Sequence, residues 1–348
     1  VRVEIPINRE ALLEIVQNVY GLNVAQLEYL GVGMVSAYRV IGPGGAYFLK
    51  LFPDTPFGRE AAARLEGEHA LLNALRENNI LERIPTPVRA LNGLTRSSFD
   101  GMTFAVYEFI EGETLWGHEE SVLEDIAVTL GRLHAGVSRL LAQRLQLPFP
   151  NEDFSLPFEA QLMDDLRTLE RAGRGDRPGV LALRDLLLPR RDELLEIMAR
   201  AKYFQRLARS RSHRNVVAHT DLHGGNLLLD PAGRLWALDW ETARVAPAEH
   251  DLWMYHANLA EFLPHYEAAR GEPCKLGADL FGFYFYRWTL EDLAVDVKQI
   301  VNDSTSDEQD RQDIAGIEEH IFPWWPHLER DLERMQLTLE KRSGSRVR

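Results

Sequence analysis

HTDLHGGNLLLDPAGRLWALDW runs from His219 to Trp240 and combines a polar loop with a strongly apolar tail. Its opening fits the pattern H-x-D-x-x-x-x-N, with His219, Asp221 and Asn226 at the defining positions. Two apolar runs around Asp-Pro-Ala-Gly follow, the composition of a β-hairpin. Antiparallel pairing brings the ends of a hairpin together, so Asn226 at its entry is expected to meet Asp239 at its exit. Asp221 then sits on the loop just before it. Two carboxylates and an amide oxygen at a strand end form a hard-oxygen site suited to Mg2+. One of the acids is left to accept a proton from a hydroxyl group. His219 reads as a brace for the loop, and Gly224 and Gly225 as relief of crowding within it. A plain surface hairpin would leave this polar cluster unexplained.

Upstream, the chain alternates short strand-like pieces with turn signals. NREALLEIVQNVYG has apolar residues at helical spacing between a capping Asn8 and Gly21. AQLEYL, SAYRV and AYFLKLF read as strands separated by GVGM and IGPGG. FGREAAARLEGEHALLNALREN is an amphipathic helix, and IPTPVRAL and MTFAVYEFI read as further strands before the loop EGETL. From Ser121 helical patterns dominate to the end, with RAGRGDRPG at Arg171–Gly179 as an internal loop. This order predicts an α+β chain: a small β-rich lobe with one inserted helix over 1–111, and a large mainly helical lobe over 112–348.

With 348 residues, 45% hydrophobic and 26% charged, the chain has material for a sizeable core and is longer than a usual single domain. The net charge of −14 argues against a nucleic-acid partner, which needs a basic footprint, and is compatible with a cationic small molecule. The most basic stretch, RLARSRSHRNVV at Arg206–Val217, reads as a solvated connector. The single cysteine, Cys274, excludes an internal disulfide. No secretory signal opens the sequence and no apolar run is long enough for a bilayer, so a cytoplasmic protein without a membrane partner is expected.

His219–Trp240 resembles the catalytic loop and metal-binding segment of the kinase-like small-molecule phosphotransferases, the aminoglycoside phosphotransferase and choline kinase superfamily. That resemblance implies a bilobal protein-kinase-like fold and an ATP-dependent O-phosphotransferase using ATP and Mg2+. It implies Asp221 as the catalytic base and Asn226 and Asp239 as the metal ligands. Lys50, in AYFLKLF, stands where the family's phosphate-binding lysine lies. Glu68 in EHALLNAL is its implied ion-pair partner, with Glu66 as the competing choice. VYEFIEGETL is similar to the family's hinge, with backbone groups of Glu108 and Ile110 placed to meet adenine. GVGMVS offers Gly31 and Gly33 to the nucleotide, with Ser36 where a protein kinase has a third glycine. After Asp239 the chain leaves no room for an activation segment, so a protein kinase is disfavoured. Asp251 in EHDLW matches a family position with a structural role. Glu241 is either a second metal or acceptor ligand, or an exposed acid at the hairpin end.

The phrases LLEIVQNVYGLNVAQLEYLG, LDWETARVAPAEHDL and FYFYRWTLEDLAVD look like the spectinomycin phosphotransferase branch of that superfamily. In the last of them Phe281, Tyr284, Phe285 and Trp288 share one helical face with Asp292, either as core or as a platform for a cation. Asp292 and Asp296 form a like-charge i,i+4 pair that a cation would relieve. Glu291 is the alternative acid for the acceptor. Three functions are therefore open. The first is a kinase for an aminoglycoside or aminocyclitol such as spectinomycin, an antibiotic-resistance activity. The second is a kinase for another hydroxylated metabolite, such as choline, homoserine or a sugar. The third is a non-catalytic nucleotide-binding module.

Overall fold

The computed structural model describes residues 4–32, 35–142, 150–304 and 306–345. Its contacts divide the chain into two compact units, Val1–Pro150 with Val216–Val245 and Phe262–Pro273, and Asn151–Asn215 with Ala246–Glu261 and Cys274–Arg348. The boundary expected at 111/112 falls inside the first unit. The His219–Trp240 hairpin belongs to the same unit as the β-rich segment.

In that first unit α1 (Arg9–Tyr20) starts where the Asn8 side chain accepts from Ala11 N–H and ends at Gly21, whose φ of +67° favours glycine. β1 (Gln26–Tyr29), β2 (Ser36–Gly42), β3 (Gly45–Phe52), β4 (Ser97–Phe99) and β5 (Met102–Glu108) form an antiparallel sheet in the order β1-β2-β3-β5-β4. Leu12, Val16 and Tyr20 of α1 pack on Tyr38, Val40, Leu49, Leu51, Phe104 and Val106 of the sheet. Side chains alternate along a strand, so burying Leu49 and Leu51 on this face turns Lys50 to the other. In the ladder Lys50 lies between Ala37 and Ala105, whose small side chains leave its long stem room. α2 (Pro56–Glu77) carries buried Leu65, Glu68, Leu71 and Leu72. α3 (Leu123–Ala142) follows β6 (Glu113–Thr114).

Two strand expectations change. IPTPVRAL is extended but pairs with β5 only briefly: Val88 N–H donates to Val106 O and Thr86 O accepts from Glu108 N–H around the bridge of Pro87 with Tyr107, and the chain then turns as Ala90 N–H donates to Leu94 O. β4 was unforeseen. It turns into β5 through Asp100 and Gly101, at φ +49° and +78°, the Asp-Gly hairpin turn with two left-handed residues. Within the expected loop EGETL, Glu113 and Thr114 form β6 and pair with β8 (Leu227–Leu229), which pairs in turn with β9 (Leu235–Ala237). β7 (Asn215–Ala218) pairs with β10 (Arg244–Pro247) and delivers the chain to His219.

The second unit is helical: α4 (Glu159–Arg171), α5 (Pro178–Leu187), α6 (Arg191–Arg209), α7 (Glu249–Leu252), α9 (Ala278–Lys298), α10 (Asp307–Gly316) and α11 (Leu328–Ser345), with α8 (Leu259–Arg270) shared along the chain between the two units. α9 lies at its centre, with Phe281, Phe283, Tyr284, Phe285 and Tyr286 all buried. The chain is thus of the α+β class. No helix among the described residues is long and apolar enough to cross a membrane.

Candidate active site

The hairpin registers Leu227 with Ala237, Leu228 with Trp236 and Leu229 with Leu235. Leu238 N–H donating to Asn226 O at 2.8 Å extends that pairing, so Asn226 and Asp239 stand together at its open end. The closed end is held by Asp230, whose carboxylate accepts from Ala232 N–H, Arg234 N–H, the Arg234 guanidinium and the Trp236 indole. Burial pushes that carboxyl up, but these donors outweigh it and hold it well below the usual range.

His219 is fully buried, and its Nε2 is 2.8 Å from Leu238 O while its ring lies 4.4 Å from Trp240. It braces the loop against the hairpin. Thr220 and Asp239 both adopt left-handed φ, +74° and +60°. Such non-glycine conformations cost on the order of 1–3 kcal/mol each and persist where surroundings enforce them, as at active sites. Here the enforcing contacts include Thr220 Oγ1 donating to Thr242 O and the Lys50 ammonium on Asp239.

Asn226 spends its amide hydrogens on Asp221, at 2.8 Å from the main-chain oxygen and 2.9 Å from Oδ2. Its own Oδ1 is thereby turned from Asp221. Asp221 itself remains 39% exposed, accessible to a hydroxyl. Lys50 Nζ, 189 residues from the hairpin in sequence, donates to Asp239 Oδ1 at 2.6 Å and to Glu241 Oε2 at 3.4 Å. Burial works against the Lys50 charge, but Asp239, Glu241 and Glu68 together raise its pKa above the ordinary value. Asp239 feels the reverse: burial pushes its carboxyl up, and Lys50 more than offsets this and lowers it. Glu241 is pushed up by burial, with Asp239 beside it opposing the pull of Lys50. It therefore faces the cluster and is not an exposed hairpin-end acid.

Of the two candidate glutamates on α2, Glu66 is exposed and Glu68 is 2% exposed. Glu68 accepts from Tyr107 OH at 3.2 Å and makes no ion pair with Lys50 within 4 Å among the described residues. Burial raises its carboxyl to about 7; Lys50 pulls down while Asp239 and Glu241 push up. Lys50 is thus held by the hairpin acids, with Glu68 acting on it across space.

Gly31 has φ +63°, and Leu30 N–H donating to Ala37 O closes the turn around it; Ser36 is buried at the head of β2. Gly33 lies outside the described residues. At the hinge the N–H groups of Glu108 and Phe109 are taken by Thr86 O and Ala46 O, and Ile110 follows as partly buried chain.

Two residues escaped the sequence reading. His223 Nδ1 accepts from Gly225 N–H, and its Nε2 lies 3.7 Å from Asp221 Oδ1. Burial lowers its pKa, and His219 adds to the fall. Glu119 accepts from Gly224 N–H at 2.9 Å and caps the turn before Asn226. His223 stands inside the motif and was legible; Glu119, 105 residues away, was not.

In the second unit the aromatics of α9 are core: Phe281, Tyr284 and Phe285 are buried, and Trp288 packs 5.1 Å from Trp253. Arg287 joins Glu291 at 3.2 Å and the buried Glu152 at 3.3 Å, so the carboxylate of Glu291 is committed to an ion pair. Asp296 is half-buried. Asp292 lies on the accessible face, with no ion pair among the described residues. Protein crowded around it excludes enough water to push its carboxyl up to about 7, with Glu291 adding to the rise.

The donors at the hairpin mouth, Asn226 Oδ1 and the Asp239 carboxylate, fit Mg2+, which takes few protein oxygens and completes its shell with phosphates and water. No cluster of three His, Cys, Asp or Glu able to hold a metal occurs among the described residues.

The model of the phosphotransferase enzyme family matches residues 30–282. No curated protein sequence matches the chain. Among solved structures, a spectinomycin phosphotransferase bound to ADP and spectinomycin is similar at TM-score 0.74 and 16% identity, over 96% of this chain and 99% of that one. A microcompartment-associated aminopropanol kinase is similar at TM-score 0.61 and 17% identity, over 94% and 100%. An aminoglycoside phosphotransferase in complex with GDP and kanamycin is similar at TM-score 0.56 and 18% identity, over 93% and 98%. At such identities the likeness is one of fold.

Proposed function

Since the chain belongs to the phosphotransferase enzyme family, and so transfers the γ-phosphoryl group of ATP to a hydroxyl, we propose that its acceptor is an aminoglycoside or aminocyclitol such as spectinomycin. Such an activity confers antibiotic resistance and works in the cytoplasm, where ATP is supplied. The observation that carries the reaction is the meeting of Lys50 with Asp239 at 2.6 Å, beside an Asp221 oriented by Asn226.

Asp221 accepts the proton of the acceptor hydroxyl as that oxygen attacks phosphorus. Asn226, bonded to Oδ2, fixes the carboxylate so that its other oxygen meets the hydroxyl. Lys50 contacts the α- and β-phosphates, Glu68 steadies its charge, and backbone groups of Glu108 and Ile110 meet the adenine. Gly31 and Gly33 let the chain approach the phosphates, and Ser36 anchors that turn. Asn226 Oδ1 and the Asp239 carboxylate would hold a Mg2+ ion, which would supply positive charge to offset that of the nucleotide phosphates. Phosphoryl transfer has a loose transition state, so positioning and electrostatics carry most of the acceleration. Glu241, which accepts from Lys50 at 3.4 Å, is the further acid in this cluster proposed to take a second metal ion or an acceptor amine.

For the acceptor, the likeness of fold to the spectinomycin enzyme supports an aminocyclitol, and Asp292 supports a cation, being an accessible carboxyl with no ion pair among the described residues. Asp296 adds negative charge on the same face, whereas Glu291 is engaged by Arg287. A kinase for a smaller hydroxylated amine is the second reading, favoured by the likeness to the aminopropanol kinase; choline, homoserine or a sugar would use the same core. A non-catalytic module fits less well, because Lys50, Asp221, Asn226 and Asp239 are all present and assembled.

Mass spectrometry with Mg-ATP and a panel of spectinomycin, kanamycin, choline, homoserine and 1-amino-2-propanol tests this. One phosphoryl group added to spectinomycin, lost in Asp221→Asn, supports the aminocyclitol reading. Phosphorylation of 1-amino-2-propanol, choline or homoserine alone moves the chain to the second, and Mg-ATP binding without any product to the third.

A further inference from the structure

Trp116 is the most exposed of the seven tryptophans, at 65%, yet the residues on either side of it are bonded to the catalytic loop. Leu115 N–H donates to both Gly224 O and Leu227 O, at 3.0 and 3.1 Å. Glu119 reaches back to Gly224 N–H, and Glu113 and Thr114 pair with Leu229 and Leu228. The strap 113–119 is therefore stitched to the loop that carries Asp221 and Asn226. The Trp116 ring stands edge-to-face with His223, centroids 5.0 Å apart at 88°. His223 in turn lies 3.7 Å from Asp221. A Cβ at Gly225 would come within 2.9 Å of the Trp116 ring and 2.6 Å of His223, so glycine is what lets the indole lie against the loop.

Holding a large aromatic open to water forgoes the gain of burying it, and fixing it there lowers the cost of binding something over it. An indole face offers apolar contact and attraction to an ammonium. Glu113 and Glu120, both exposed, add negative charge around it. Resting on the phosphotransferase reading above, we infer that Trp116 is a recognition residue for the acceptor, stacking on the amine-bearing ring of a molecule whose hydroxyl reaches Asp221. Only one imidazole separates the indole from that carboxylate. An acceptor broader than a single small chain, such as a cyclitol, spans that interval, whereas an aminopropanol ends short of it.

The test is steady-state kinetics of Trp116→Ala and Trp116→Phe with whichever of spectinomycin, kanamycin and 1-amino-2-propanol the wild-type enzyme phosphorylates, and with ATP varied separately. For a ring acceptor, Trp116→Ala is expected to raise the acceptor KM about tenfold, with Trp116→Phe within about threefold of wild type and the KM for ATP unchanged in both. An unchanged acceptor KM in Trp116→Ala overturns the inference while leaving the kinase standing. A rise in the ATP KM alone assigns Trp116 to the nucleotide and overturns it equally. Turnover of 1-amino-2-propanol but of neither ring acceptor removes the stacking role. No phosphorylation of any of the three, with ATP still hydrolysed slowly to ADP, overturns the acceptor class and this inference together.

Discussion

Glu68 of α2 and Asp292 of α9 have carboxyls pushed to the same value, about 7, in surroundings with little in common. Glu68 is enclosed beside Lys50, Asp239 and Glu241, with Tyr107 OH on one oxygen. Asp292 lies on an accessible face, where its neighbour Glu291 is already engaged by Arg287. The first acid belongs to a network whose charges answer one another; the second is the acid proposed above to meet a cationic acceptor. A raised pKa alone does not separate these cases. Burial and partners do.

The sharpest way to break the contrast lies in the hairpin itself. Asp221→Asn is expected to lower turnover about a thousandfold while the KM for ATP moves less than about threefold, because the base acts on the acceptor proton alone. Equal turnover would remove Asp221 from the chemistry.

Next in size is Arg287→Met, which leaves the buried carboxylate of Glu152 without its guanidinium. Stability in urea should fall by about 3–5 kcal/mol, with the catalytic loop unaltered in any variant that folds. An unchanged midpoint would mean that the ion cluster under α9 contributes nothing to the helix.

Glu68→Gln tests the enclosed acid through pH. Its folded pKa lies above its unfolded one, so the folded state holds the proton more tightly between about 4.5 and 7. Wild-type stability should therefore be fullest below pH 4.5, as far as this residue is concerned, and decline as pH rises to about 7. Glu68→Gln should lose that slope and be the more stable protein at pH 8, by roughly 3 kcal/mol at most. Parallel curves for the two proteins would show that Glu68 is ionised throughout.

The smallest expected effect sharpens the other half of the comparison. Asp292→Asn should not lower the melting temperature, since burial already disfavours its charge, and should raise the KM of an amine-bearing acceptor about tenfold. A cation favours the ionised carboxylate, so the wild-type acceptor KM should fall as pH rises from 6 to 8, and the variant should lack that dependence. A lower melting temperature with unchanged KM would place Asp292 with the structural acids.

Much of the fold was legible. Asn8 and Gly21 bound the first helix where their capping chemistry says they should, and AYFLKLF became the third strand with Lys50 turned from the core. IPTPVRAL suggests a strand by its apolar content, but the chain turns at Ala90 after only two hydrogen bonds to β5. The Asp-Gly turn at 100–101 carried a clear signal for β4 that went unread. Within the site, the meeting of Asn226 with Asp239 followed from hairpin pairing alone.

By itself the sequence determined what is local and periodic: the helices and most strands, the loop motif, and the convergence of Asp221, Asn226 and Asp239 within 22 residues. Those interactions join neighbours along the chain, so spacing and residue type suffice to place them. Tertiary structure alone decided what depends on distant segments or on the rotation of a helix. It turned Glu68 inward and Glu66 out, set Lys50 on Asp239 and Glu241, and tied Glu119 to Gly224. It also committed Glu291 to Arg287, with no ion pair on Asp292 among the described residues. Each of those choices rests on which surfaces pack together, and packing partners remote in the chain leave no fixed spacing to read.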